Sequence, residues 1–164
     1  MDHSTKTREI KLFNLTFNMG HMGCRLLKAN GSELFKNAEN CDVAAVALQE
    51  CKRIAIPKII QLFQDLMFKI DISLLSSVYM WEMLLLVFVK KNLWNAVSDV
   101  KKNCKPCGLG NFIGNKGGVS LSLNIFESPF HFIGCHLICG KAKPQKRTAM
   151  LRVRRLVFNV SIRV

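Results

Sequence analysis

No stretch of this 164-residue chain is apolar for long enough to cross a bilayer as a helix. The longest, Val78 to Val89, covers twelve residues and is broken by Glu82, whereas a helical span takes roughly 20. The first residues, MDHSTKTREIK, lack the apolar segment of a secretory signal, so a cytoplasmic placement is expected. Proline (4) and glycine (10) are too few for a collagen or a low-complexity tail, and no heptad pattern supports a coiled coil. Acidic side chains are scarce in the second part: beyond residue 90 only Asp99 and Glu127 occur.

That scarcity makes the charge lopsided. Residues 1–89 carry 10 basic and 9 acidic side chains, and residues 90–164 carry 14 and 2, a net +12. Such a half suits a polyanionic partner, either phosphorylated lipid, phosphorylated small molecule or nucleic acid, although a solvated Lys/Arg surface has the same composition. With 49% hydrophobic residues the chain has material for one folded domain.

Seven cysteines without an export signal read as reduced thiols. Cys104-Lys-Pro-Cys107 with Cys135 and Cys139 could offer zinc four soft ligands. Positions i and i+4 of a strand lie roughly 13 Å apart, however, too far for one tetrahedral ion, so buried reduced cysteine is the simpler reading. The N-x-S/T triplets at Asn14, Asn30 and Asn159 carry no meaning without secretion.

The apolar pattern predicts strands at Ile10 to Asn18 and at Asp42 to Leu48, the latter buried on both faces. Leu26 to Lys36 predicts a short helix. Ile56, Ile59, Ile60, Phe63, Leu66, Met67 and Ile70 recur at spacings of three and four, an amphipathic helix opened by Pro57. Ser77 to Lys90 reads as one long β-rich run, and Leu109 to Gly118 as a glycine loop. Val119 to Ile125 and Pro129 to Leu137 read as strands joined at Glu127-Ser128, and Lys143 to Arg155 as a basic helix. This order predicts an α/β or α+β layered domain. At the end, Phe158, Val160, Ile162 and Val164 alternate with polar residues in strand periodicity, an edge that calls for a partner.

Four clusters at strand ends could carry chemistry. Asn18, in Thr16-Phe17-Asn18-Met19-Gly20, could orient a ligand or simply form a turn. Glu50, after Gln49, could offer Mg²⁺ a hard oxygen or simply reach solvent. Gly114-Asn115-Lys116-Gly117-Gly118 fits neither the Walker A loop nor the dinucleotide fingerprint. It could still cradle phosphate, with Lys116 as a point charge, or be a glycine turn. In Cys135-His136-Leu137, His136 points to the face opposite its two neighbours. It is either structural or a donor to a phosphate oxygen.

Taken together, TFNMG at 16–20, Gln49-Glu50, LLLVFVKK at 84–91, GNKGGV at 114–119 and GCHL at 134–137 resemble the N-terminal half of an inositol polyphosphate 5-phosphatase catalytic domain, in the endonuclease/exonuclease/phosphatase superfamily. The resemblance covers about residues 10–150, and 151–164 form an atypical tail. It implies half of a four-layer β-sandwich flanked by helices, and Mg²⁺-dependent hydrolysis of an inositol 5-phosphate by in-line attack of water. It implies Glu50 as the Mg²⁺ ligand and Asn18 as its neighbour holding metal and reactive water. Asn115 and Lys116 are implied as phosphoinositol contacts and His136 as the phosphate-contacting histidine. Arg147 corresponds to the arginine of an RN pair in which Thr148 replaces Asn. Phe17 replaces a usual Trp and Gly134 a frequent Asn. The motifs WxGDxNYR, PSWCDRxLW and SDH are absent, and with them the aspartate that activates water. The expectation is therefore a truncated domain whose partner is a phosphoinositide lipid or inositol polyphosphate, with peripheral membrane contact through basic segment 141–155. A phosphoinositide-binding remnant without turnover and a Mg²⁺-dependent nuclease are the alternatives. GNKGGV disfavours nucleic acid, and no recruiting domain is visible.

Overall fold

In the computed structural model, residues 8–21, 24–107, 115–139 and 143–151 are described. Seven strands and three α-helices are found among them, in an α+β layered arrangement. The first sheet has the order β1-β2-β4-β3, built from β1 (Leu12–Asn18), β2 (Val43–Gln49), β3 (Ile72–Met80) and β4 (Met83–Lys90). β1 and β2 are parallel and the rest antiparallel. The second sheet, β5 (Val97–Pro106), β6 (Gly117–Ile125) and β7 (Ser128–His136), is an antiparallel meander.

Alternation of side chains divides the interior into two cores. On one face of the first sheet, Ala44, Val46 and Leu48 of β2 with Leu84, Leu86 and Phe88 of β4 meet α1 (Arg25–Leu34) and α2 (Ile56–Phe68). α2 turns Ile56, Ile59, Phe63 and Met67 inward, the helical stripe expected from their spacing. Its Pro57 occupies the first turn, where a missing N–H costs nothing. The Phe63 ring meets Phe35 edge-on at 5.4 Å. On the opposite face, Val43, Ala45 and Ala47 with Met83, Leu85, Val87 and Val89 pack against Val119, Leu121, Leu123 and Ile125 of β6. Every residue of β2 is thus buried.

Two predicted features differ. The run ending at Lys90 begins at Ile72 and is a hairpin, because Trp81 (φ 53°) and Glu82 turn the chain. β5 is a strand that alternation did not announce, since seven of its ten residues are exposed and it is an edge. Its lysines suit an edge that must not pair with other chains. Of the glycine loop, 108–114 lies outside the described residues, while Gly117 and Gly118 already belong to β6. The basic helix is described as α3 (Pro144–Leu151); its predicted remainder and the alternating tail also lie outside the described residues.

Candidate functional site

The C-terminal ends of β1, β2 and β7 and the start of β6 come together at one end of the sandwich. Parallel pairing sets Asn18 opposite Gln49, so the residue after β2, Glu50, stands beside Asn18. The Asn18 Nδ2 group donates to Glu50 Oε1 at 3.0 Å. Its Oδ1 accepts the Gly20 N–H at 2.8 Å, which fixes the orientation of the amide. Main-chain bonds tie the loops: Met19 N–H to Gln49 O, His21 N–H to Glu50 O and Cys51 N–H to Glu82 O, at 2.7, 3.0 and 2.9 Å. His21, Glu50 and Trp81 all have positive φ, at 58°, 54° and 53°. Such backbone is costly for residues with a Cβ and gathers at functional loops.

The second sheet supplies a lysine and a histidine. Gly117 pairs with His136, so Lys116, one residue earlier, lies next to the histidine. Lys116 Nζ donates to His136 Nε2 at 2.7 Å, and the same ring nitrogen is 3.6 Å from Glu50 Oε1. Burial, then the Lys116 charge, lower the His136 pKa against the opposing pull of Glu50 and Glu82. That lowering favours the neutral imidazole, the form whose Nε2 can accept from the ammonium. The Asn18 hydrogen bond is the main cause that lowers the Glu50 pKa. Partial desolvation opposes it, while His136, His21 and Lys116 assist. A carboxylate so held stays ionised.

Asn18, Glu50, Lys116 and His136 are thus brought together. Asn115 precedes Lys116 with its side chain exposed, and Arg147 sits in the first turn of α3, its N–H bonded to Lys143 O at 3.2 Å. Two residues were not foreseen. His21 Nε2 lies 2.9 Å from Glu82 Oε2 and its Nδ1 3.9 Å from Glu50 Oε2, so His21 bridges the two carboxylates. Glu82 had one sequence signal, its interruption of the run from Val78 to Val89; His21 had none. Gln49 lies beneath, donating to Thr16 Oγ1 and Ala47 O. Contrary to the expectation of burial, the cysteine pair at the end of β5 has Cys104 exposed and Cys107 half-buried, with Cys104 Sγ facing Tyr79 O at 3.8 Å and partial desolvation raising both thiol pKa values.

Glu50 thus presents carboxylate oxygens, one held by the Asn18 amide, beside His136 and Lys116; among the described residues no group of three or more His, Cys, Asp or Glu is placed to hold a metal ion. The sequence profile described as Endonuclease/Exonuclease/phosphatase family 2 matches residues 15–160. Human phosphatidylinositol 4,5-bisphosphate 5-phosphatase A is 32% identical over 120 residues, covering 68% of this chain and 12% of that protein. Among solved structures, the inositol polyphosphate 5-phosphatase domain of SPsynaptojanin, crystallised with inositol (1,4)-bisphosphate and calcium, superposes with a TM-score of 0.73 at 21% identity. It covers 87% of this chain and 44% of that one. A ferrous NO complex of Cimex nitrophorin shares the fold, with a TM-score of 0.66 at 19% identity, covering 86% and 53%. This chain therefore spans less than half of that 5-phosphatase domain and about an eighth of the human relative.

Proposed function

Because the chain belongs to the Endonuclease/Exonuclease/phosphatase family 2, we propose that its site recognises the 5-phosphate of a phosphoinositide or soluble inositol polyphosphate and serves Mg²⁺-dependent hydrolysis of that monoester. One observation carries the reading: Glu50 with Asn18 from one sheet meets Lys116 with His136 from the other within 3.6 Å. The names of the relatives, which are phosphoinositide and inositol polyphosphate 5-phosphatases, support the substrate class.

Each group has a role in that reaction. Glu50 would hold Mg²⁺, with Asn18 fixing one oxygen of the carboxylate; bound there, the ion supplies polarisation of the phosphate oxygens. Lys116 is a mobile point charge. In the resting site it is spent on His136 Nε2. An arriving phosphate draws Lys116 Nζ to its oxygens and leaves the imidazole able to donate to a non-bridging oxygen once protonated. Asn115 and Arg147 extend the phosphate-facing surface from the loop before β6 and from α3. Water attacks phosphorus, the bond to the inositol oxygen breaks, and inorganic phosphate and the ring hydroxyl are the products.

The test is Mg²⁺-dependent phosphate release from phosphatidylinositol 4,5-bisphosphate by residues 1–164, with Glu50→Ala as control. Release abolished by Glu50→Ala supports turnover. Binding of the lipid without release supports the second reading, a phosphoinositide-binding remnant. That reading has its own observation, since the only carboxylates at the described site are Glu50 and Glu82, both engaged by His21. A cytoplasmic protein that visits membranes from the soluble phase fits either outcome, and among the described residues no helix is long and apolar enough to cross a bilayer.

A further inference from the structure

Most of the nine exposed large apolar side chains among the described residues lie at the two ends of the sandwich. At the end away from the site, Phe126 (47% exposed) lies under the Arg8 guanidinium at 4.8 Å and Phe68 (66%) under the Lys91 ammonium at 5.0 Å. These two rings are covered by cations of the same chain, whereas Trp94 at that end, 41% exposed, has no cation over it among the described residues. The site end carries a larger uncovered set. Ile54 is 90% exposed, and Tyr79 and Trp81 are 54% and 52% exposed, with no cation over either ring among the described residues. Ile54 lies in the 3-10 turn Arg53–Ala55, just past Glu50. Trp81 tips the β3–β4 hairpin. The bond from Cys51 N–H to Glu82 O, 2.9 Å long, ties these two segments together. Beside Ile54 stand Lys52 and Arg53, both exposed. Neither forms an ion pair among the described residues.

We propose that this rim, formed by Lys52, Arg53, Ile54, Tyr79 and Trp81, docks on an anionic phospholipid surface. Tryptophan and tyrosine favour the boundary between water and acyl chains. Isoleucine gains by leaving water, and lysine and arginine are attracted by anionic headgroups. The Glu82 carboxylate, the one acidic group on the hairpin tip, lies 2.9 Å from His21 Nε2 and is turned toward the site. Docking by this rim brings Glu50, Lys116 and His136 down to the level of the headgroups. It thereby favours the lipid over the soluble member of the substrate class. The purpose rests on the proposed phosphatase reading, but the contact itself does not require turnover.

The experiment uses the full chain carrying Trp94→Phe, which leaves Trp81 as its sole tryptophan. Phosphatidylcholine vesicles with about one third phosphatidylserine, without any substrate lipid, should shift its emission to the blue. Brominated acyl chains should quench it. Pure phosphatidylcholine should bind far less. Lys52→Ala with Arg53→Ala should weaken partitioning about 25-fold, roughly fivefold per cation, and Ile54→Ser should weaken it further. Co-sedimentation without quenching of Trp81 would overturn the proposal and place the contact elsewhere, segment 141–155 being the first candidate. Absence of binding would overturn it as well. Hydrolysis of a soluble inositol phosphate is assayed separately. Turnover without docking defeats only this inference, and docking without turnover defeats only the phosphatase reading.

Discussion

Replacing Gly117 by alanine should cost this protein a large part of its stability. Gly117 has φ +144°, and a Cβ built there would stand 2.1 Å from the Lys105 carbonyl oxygen and 3.1 Å from Cys107 N. Both are main-chain atoms of the β5 end, held by the pairing of Pro106 with Gly117 and Lys105 with Gly118. The methyl therefore has no flexible neighbour to displace. Backbone strain of a side chain in this region costs about 1–3 kcal/mol. Forcing the strands apart adds roughly 1–3 kcal/mol. The sum, about 2–6 kcal/mol, compares with roughly 5–15 kcal/mol for a whole domain. Urea unfolding followed by tryptophan fluorescence measures it, with an unchanged slope required for a simple stability reading. The melting temperature should fall by roughly 5–20 °C. A loss below about 1 kcal/mol would refute the argument that this start of β6 can be adopted only with glycine.

Gly134 offers a milder case, for a Cβ there meets Ala47 Cβ at 3.2 Å and Val119 Cγ2 at 3.3 Å between the sheets. Gly134→Ala should cost about 1–3 kcal/mol, and adding Ala47→Gly should recover part of it; additive losses would sink the contact. Burial lowers the pKa of His131 and His136 from 6.5, aided at His136 by Lys116. The unfolded chain thus binds these protons more readily, so stability is complete above pH 6.5 and declines as pH falls below it. His131→Gln should flatten that decline in urea midpoints measured between about pH 7 and 5, and an unaltered slope would count against it. Glu82→Gln releases His21 from its anion and loosens Glu50. Calorimetry should show Mg²⁺ binding weakened about tenfold, and unchanged affinity would mean that the bridge does not position the carboxylate.

Legibility of the sequence followed the physics of each element. β2 and α2 were plain because burial on two faces, or on one helical stripe, writes itself as an apolar run or a 3–4 spacing. β5 was invisible because an exposed, lysine-rich edge leaves no alternation to see. The hairpin at Trp81 was merged into one run because no glycine, asparagine or proline marks its turn. Glu50, Asn18, Lys116 and His136 were found through motifs, since each sits at or within one residue of a strand end. The bridge from His21 to Glu82 was out of reach: its partners are 61 residues apart and meet only because the β4 hairpin folds back beside β2.

The two sheets are also two consecutive stretches of chain. The first closes between residues 12 and 90 and the second between 97 and 136, with no strand exchanged between them. Each closes within its own stretch of chain, although β1–β2 and β2–β4 join residues 31 to 46 positions apart, the slower kind of contact to form. The carboxylate belongs to the earlier stretch and the histidine and lysine to the later one. During synthesis the first sheet with its helices can assemble while β6 and β7 are still emerging. The meeting of Glu50 with Lys116 and His136 is therefore a late event, completed only when the second sheet settles onto the first.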